Sequence, residues 1–134
     1  MANQKINPQD MYDSVQYGFS HAVAHRGKKT IELAGQVAWD ADCNLVGEGD
    51  LAAQAKQVFQ NLRQVLAVAG AGPADVVRLR TYIVDYTPDM LDVIGSEIAA
   101  FYDGAVPAAN TLIGVQSLAL PGFMIEVEAV AVVD

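Results

Sequence analysis

The last quarter of the chain constrains the fold more than any other stretch. Met124-Ile125-Glu126-Val127-Glu128-Ala129-Val130-Ala131-Val132 alternates as a strand does. Residues two apart in a strand share a face. Glu126 and Glu128 therefore point one way, and Ile125, Val127 and Ala129 the other. A carboxylate set into so apolar a segment is costly unless it is paired, hydrogen-bonded or used. This run must be a sheet strand with one greasy face and one face carrying chemistry.

The residues before it divide into elements by period and by punctuation. Phe19 to Ala24 and Thr30 to Ala34 are short extended runs on either side of Arg26-Gly27-Lys28-Lys29, which reads as a hairpin tip. Asp50 is an N-cap for a helix whose apolar face is Leu51, Ala55, Val58, Phe59, Leu62, Val65, Leu66 and Ala69, ended by Gly70. Asp75 to Asp85 is a β-branched and aromatic strand with Arg78 and Arg80 on one face. Thr87-Pro88-Asp89 opens a second helix with Leu91, Ile94, Ile98 and Phe101 inward. Strands follow near Thr111 to Gln116 and Phe123 to Val132, joined through a turn at Leu120-Pro121-Gly122. The order ββαβαββ predicts an α+β, two-layer sandwich: a mixed six-stranded sheet with both helices on one face.

The 134 residues form a single domain, 1–134, in which residues 1–16 are a polar, partly ordered arm. Apolar residues make up 52% of the chain. That surplus predicts an apolar surface covered by further copies. The net charge of −8, with eight basic residues and no basic run, argues against nucleic acid and acidic membranes. No run is long enough to span a bilayer, the N-terminus lacks a signal-peptide core, and the one cysteine, Cys43, forms no internal disulfide. These features predict a cytoplasmic protein. His21 and His25 lie in an extended run with no third ligand near, so no metal is expected.

The Ala34-Gly35-Gln36 motif, the strand Asp75 to Asp85 and the ending Ile-Glu-Val-Glu-Ala-Val-Ala-Val resemble the Rid family (reactive intermediate deaminase, or YjgF-like) from about Phe19 to Val132. The spacing from Asn110 to Glu126 is similar to that family's C-terminal signature. The resemblance implies a chorismate mutase-like homotrimer with small-metabolite clefts between subunits and no cofactor. It also implies hydrolysis of 2-imino acids or their enamines to 2-keto acids and ammonia. A glutamate that positions water falls on Glu126. The arginine that grips the substrate carboxylate falls on Asn110, within Ala108-Ala109-Asn110-Thr111. A tyrosine of the cleft falls on Phe19, an asparagine of the second helix on Gly95, and a small residue two beyond the arginine on Leu112.

Arginine grips a carboxylate with two charged hydrogen bonds, and asparagine offers one neutral amide. A hydrogen bond to a charged group contributes roughly 1.5–3 kcal/mol, so this exchange weakens 2-imino acid binding by about an order of magnitude or more. The expected reading is a deaminase of an imine or enamine other than the usual 2-imino acids. Glu126 is its catalytic group, with Asn110, Thr111, Phe19, Gly35 and Leu112 around the substrate. The alternative is a non-catalytic trimer that binds a small molecule or acts as a regulatory or chaperone-like partner. For Glu126 and Glu128, pairing with Arg78 and Arg80 is the structural alternative. A ribonuclease role is the least supported, since the chain is acidic and has no pair of acid–base histidines.

Overall fold

The computed structural model describes residues 3–134. Six strands and two long helices follow in chain order: β1 (Gln4–Ile6), β2 (Ala22–Ala24), β3 (Lys29–Gln36), α1 (Leu51–Val68), β4 (Val76–Val84), α2 (Leu91–Tyr102), β5 (Ala109–Val115) and β6 (Ile125–Val133). The architecture is the expected mixed α+β sandwich. Its main sheet has the order β3-β6-β4-β5, and β1 and β2 pair separately. β6 lies antiparallel to both β3 and β4, whereas β4 and β5, joined through α2, run parallel.

One sheet face carries Leu33, Leu79, Ile83, Ile125, Val127 and Ala131, all buried. Against it pack Val58, Phe59, Leu62 and Leu66 of α1, and Ile94, Ile98 and Phe101 of α2. The alternation along β6 is what delivers one wall of this core, as its burial pattern shows. Asp50 caps α1 by accepting from the Ala53 amide, and Gly70, at φ +79°, follows its end.

Two local expectations are corrected. Phe19 to Ala24 and Thr30 to Ala34 do not form a hairpin: β2 pairs with β1, and β3 pairs with β6. Asn7 is the cause. Its Oδ1 accepts from the His21 amide at 2.8 Å and its Nδ2 donates to Ser20 Oγ at 3.2 Å, which ties the start of β2 to the arm. The basic segment between them is held instead by β6. A Cβ at Gly27 would stand 2.5 Å from Val132 Cγ1 and 2.7 Å from the Val133 carbonyl oxygen. In Thr87-Pro88-Asp89, expected to open the second helix directly, the Thr87 hydroxyl donates to the Asp89 carboxylate and caps no backbone amide. A 3₁₀ turn over Pro88–Met90 leads into α2 instead.

A candidate site divided between the two sheet faces

β5 is the edge strand beside α2, and its residues alternate. Asn110 lies opposite Leu79 and Leu112 opposite Thr81, so both face the helical layer. Asn110 Oδ1 accepts from the buried Thr81 hydroxyl at 3.2 Å. Asn110, Thr111 and Leu112 line a cleft of about 890 Å³ between β5, α2 and the arm. That is within the ~300–1,000 Å³ typical of small-molecule sites. Phe19 lines it from the segment that leads from the arm into β2, and Gly95 from α2. A Cβ at Gly95 would meet nothing within 4 Å. Glycine in a helix interior costs roughly 1 kcal/mol against alanine, and here it leaves the cleft wider.

Three lining groups escaped the sequence reading. Tyr12 lies in the arm and Tyr17 just after it, and Tyr12 packs with its ring centroid 6.3 Å from Phe19 and 6.4 Å from Tyr17. The signal was present: two tyrosines, Tyr12 and Tyr17, closely precede Phe19. Tyr102, four residues after Ile98 on α2, is 5% exposed. Its hydroxyl lies toward the Ala108 backbone without closing a hydrogen bond, and burial pushes the phenol above its ordinary pKa.

Glu126 and Gly35 lie elsewhere. Glu126 is opposite Tyr82, on the sheet face away from the helices. β3 bulges between Leu33 and Gln36, where its register against β6 shifts. The Glu126 side chain crosses the backbone there: a Cβ at Gly35 would stand 2.0 Å from Glu126 Oε2 and 2.7 Å from its Cδ. Only glycine leaves that space free. Bulges recur where a strand must re-aim a side chain. Burial first, and the Glu128 charge second, raise the Glu126 pKa above its ordinary value.

The ionic pairing considered for the two glutamates is not what holds them. Glu128 accepts from the Tyr82 hydroxyl. Arg80 is the cross-strand neighbour of Glu128, yet among the described residues neither Arg78 nor Arg80 closes an ion pair with either carboxylate. A single chain therefore brings Phe19, Asn110, Thr111 and Leu112 to one cleft. It sets Glu126 and Gly35 together on the opposite face of the same sheet.

The family model described as Endoribonuclease L-PSP matches residues 13–133. The chain belongs to the Rid family. The crystal structure of YyfB from Yersinia pestis, a Rid protein described as of unknown function, superposes with a TM-score of 0.97. It shares 56% identity, covering 99% of this chain and 100% of that one. Among curated relatives, protein DfrA of Myxococcus xanthus is 34% identical over 115 residues, 85% of this chain and 84% of that protein. The 2-iminobutanoate/2-iminopropanoate deaminase of Rattus norvegicus is 30% identical over 105 residues, 78% of this chain and 73% of the enzyme. The Rid fold and the named deaminases among the relatives thus stand beside a cleft in which asparagine occupies residue 110 of β5.

Proposed function

We propose that this Rid protein hydrolyses the C=N bond of an imine, or of the imine tautomer of an enamine, in a substrate without the carboxylate of the usual 2-imino acids. The observation that carries the proposal is Glu126, a half-buried carboxylate with a raised pKa lying across the bare backbone of Gly35. Such a group takes and returns a proton close to neutral pH better than an ordinary carboxylate. In the proposed reaction Glu126 accepts a proton from water as the water oxygen adds to the imine carbon. The carbinolamine that forms then collapses. Glu126 returns its proton to nitrogen, and the C–N bond then breaks as the hydroxyl proton passes, again through Glu126, to the departing nitrogen, so that ammonia and a carbonyl compound leave.

The separation of Glu126 from Asn110 by the sheet supports a composite site between copies. One copy supplies Phe19, Asn110, Thr111 and Leu112, and its neighbour supplies Glu126 over Gly35. The outer sheet face mixes Tyr82, Val130 and Ile113 with its charges, and Ile113 is 39% exposed. A second copy would cover that apolar area. The family resemblance makes the assembly a homotrimer, so light scattering is expected to give about three times the 14.3 kDa of the chain. A monomer at micromolar concentration would remove the composite site.

The deciding experiment follows ammonia release from imines generated in situ, one series with a 2-carboxylate and one without. The carboxylate-free series is expected to turn over faster. Asn110→Arg is expected to raise kcat/KM for the 2-imino acids about tenfold or more, since it restores a charged hydrogen-bonded pair. Ammonia release no faster than spontaneous hydrolysis in both series would defeat the enzymatic reading. It would favour a trimer that binds its ligand unchanged, a reading also favoured by the Asn110 carbonyl being committed to Thr81.

A further inference from the structure

The cleft beside β5 has a charge character that the parts of the site taken singly do not show. None of the eight lysine and arginine side chains lines it, nor does either histidine. His21 packs edge-on against Tyr12 at 4.7 Å, outside the lining, with Nε2 3.0 Å from the Tyr12 carbonyl oxygen, which takes it as a donor. The one charged side chain in the wall is Asp92, in the first turn of α2. The same lining holds the aromatic group Tyr12, Tyr17 and Phe19. Tyr102 also lines the cleft, with its hydroxyl buried and without a hydrogen-bond partner.

We infer that this cleft selects a cation: a ligand with an apolar body and a positively charged nitrogen, held between the Tyr12–Tyr17–Phe19 rings and the Asp92 carboxylate. Aromatic faces attract ammonium-type cations, and the attraction grows as water is removed. A carboxylate in the same wall adds a charge of the right sign, and the net charge of −8 draws cations toward the protein. A carboxylate ligand meets the reverse, with Asp92 repelling it and no lysine, arginine or histidine of the same copy in the wall to answer it.

The inference rests on the deaminase reading for its chemical consequence, which is the substrate class. The cation is a protonated imine, the form of the C=N bond that water attacks most readily. Its hydrolysis balances as iminium plus water giving a carbonyl compound plus ammonium. The exchange of arginine for asparagine on β5 then has a purpose, because an arginine at residue 110 would set a positive charge in the same cleft as the substrate's own.

The test uses three probes with one ring and three charges: benzyltrimethylammonium, benzyl alcohol and benzoate, each titrated calorimetrically into the full-length protein. The ammonium is expected to bind about tenfold or more tighter than benzoate, with the alcohol between. Asp92→Asn is expected to weaken the ammonium about fivefold and to leave the alcohol within about twofold. Tyr12→Leu is expected to weaken the ammonium more than the alcohol. Benzoate binding as tightly as the ammonium, or none of the three binding, overturns the inference. So does an ammonium affinity that Asp92→Asn and Tyr12→Leu both leave unchanged. Ammonia release is read separately. Cation preference without turnover upholds the cleft and defeats the deaminase, and turnover with benzoate preference does the opposite.

Discussion

Replacing Glu126 with glutamine is expected to lower kcat for imine hydrolysis by about 10²–10⁴-fold, the usual contribution of a positioned acid–base group. Glutamine keeps the shape and loses the proton transfer, so the Kd for a non-reacting ligand in the cleft should hold. The same variant has a stability signature with a definite sign. Burial and the Glu128 charge raise the folded-state pKa of Glu126, so its ionised form is disfavoured in the fold. That penalty is fully present above the folded pKa. It shrinks as pH falls through that value, and it vanishes below the unfolded pKa, where both states are protonated. Thermal melts should therefore show Glu126→Gln above wild type at pH 8 and level with it near pH 4. Gly35→Ala is the companion variant. Its Cβ would meet the Glu126 carboxyl end rather than backbone, so the strand stays and the carboxylate moves. A loss of kcat in a folded Gly35→Ala protein is the expected result. Full activity would mean that the position of Glu126 over the bulge is irrelevant to turnover.

Gln54→Leu is expected to destabilise the protein by about 3–5 kcal/mol, read from the midpoint of chemical denaturation. Gln54 is fully buried in α1. Its Nε2 donates to the carbonyl oxygens of Gly47 at 3.1 Å and Gly122 at 2.9 Å, and its Oε1 accepts from the Met124 amide at 2.9 Å. Leucine fills similar space and satisfies none of these three backbone groups, each worth about 1–3 kcal/mol when left unpaired. A loss under about 1 kcal/mol would show that both loops reach water instead. The variant also reaches the site, because Met124 lies two residues before Glu126. A loosened entry to β6 should lower kcat in the folded fraction.

The two helices and the last strand were legible because each is specified locally. The apolar positions of α1 recur at helical spacing next to an aspartate cap, and β6 alternates strictly through Glu126 and Glu128. The shared outward face of those two carboxylates followed from period two alone. Gln54 was not legible as a structural residue, since a polar residue within a helical stripe looks like a solvent-facing one until the loops it joins are in place. The pairing of β2 with β1 was hidden for a similar reason. It depends on the Asn7 side chain reaching His21 and Ser20, whereas the glycine between two extended runs suggested a hairpin.

Family membership, the α+β class, the candidate glutamate and the absence of arginine at residue 110 were all determined by the sequence. Each depends on residue type and spacing along the chain. Only the tertiary structure decided that Asn110 and Glu126 look out of opposite faces of one sheet, because that relation depends on the parallel register of β5 on β4 and the antiparallel register of β6 on β4. It also decided the aromatic wall of the cleft. Tyr12, Tyr17, Asp92 and Tyr102 come from segments far apart in the chain, and no periodicity links them. They meet because β5 is an edge strand, and the arm and α2 close over the space beside it.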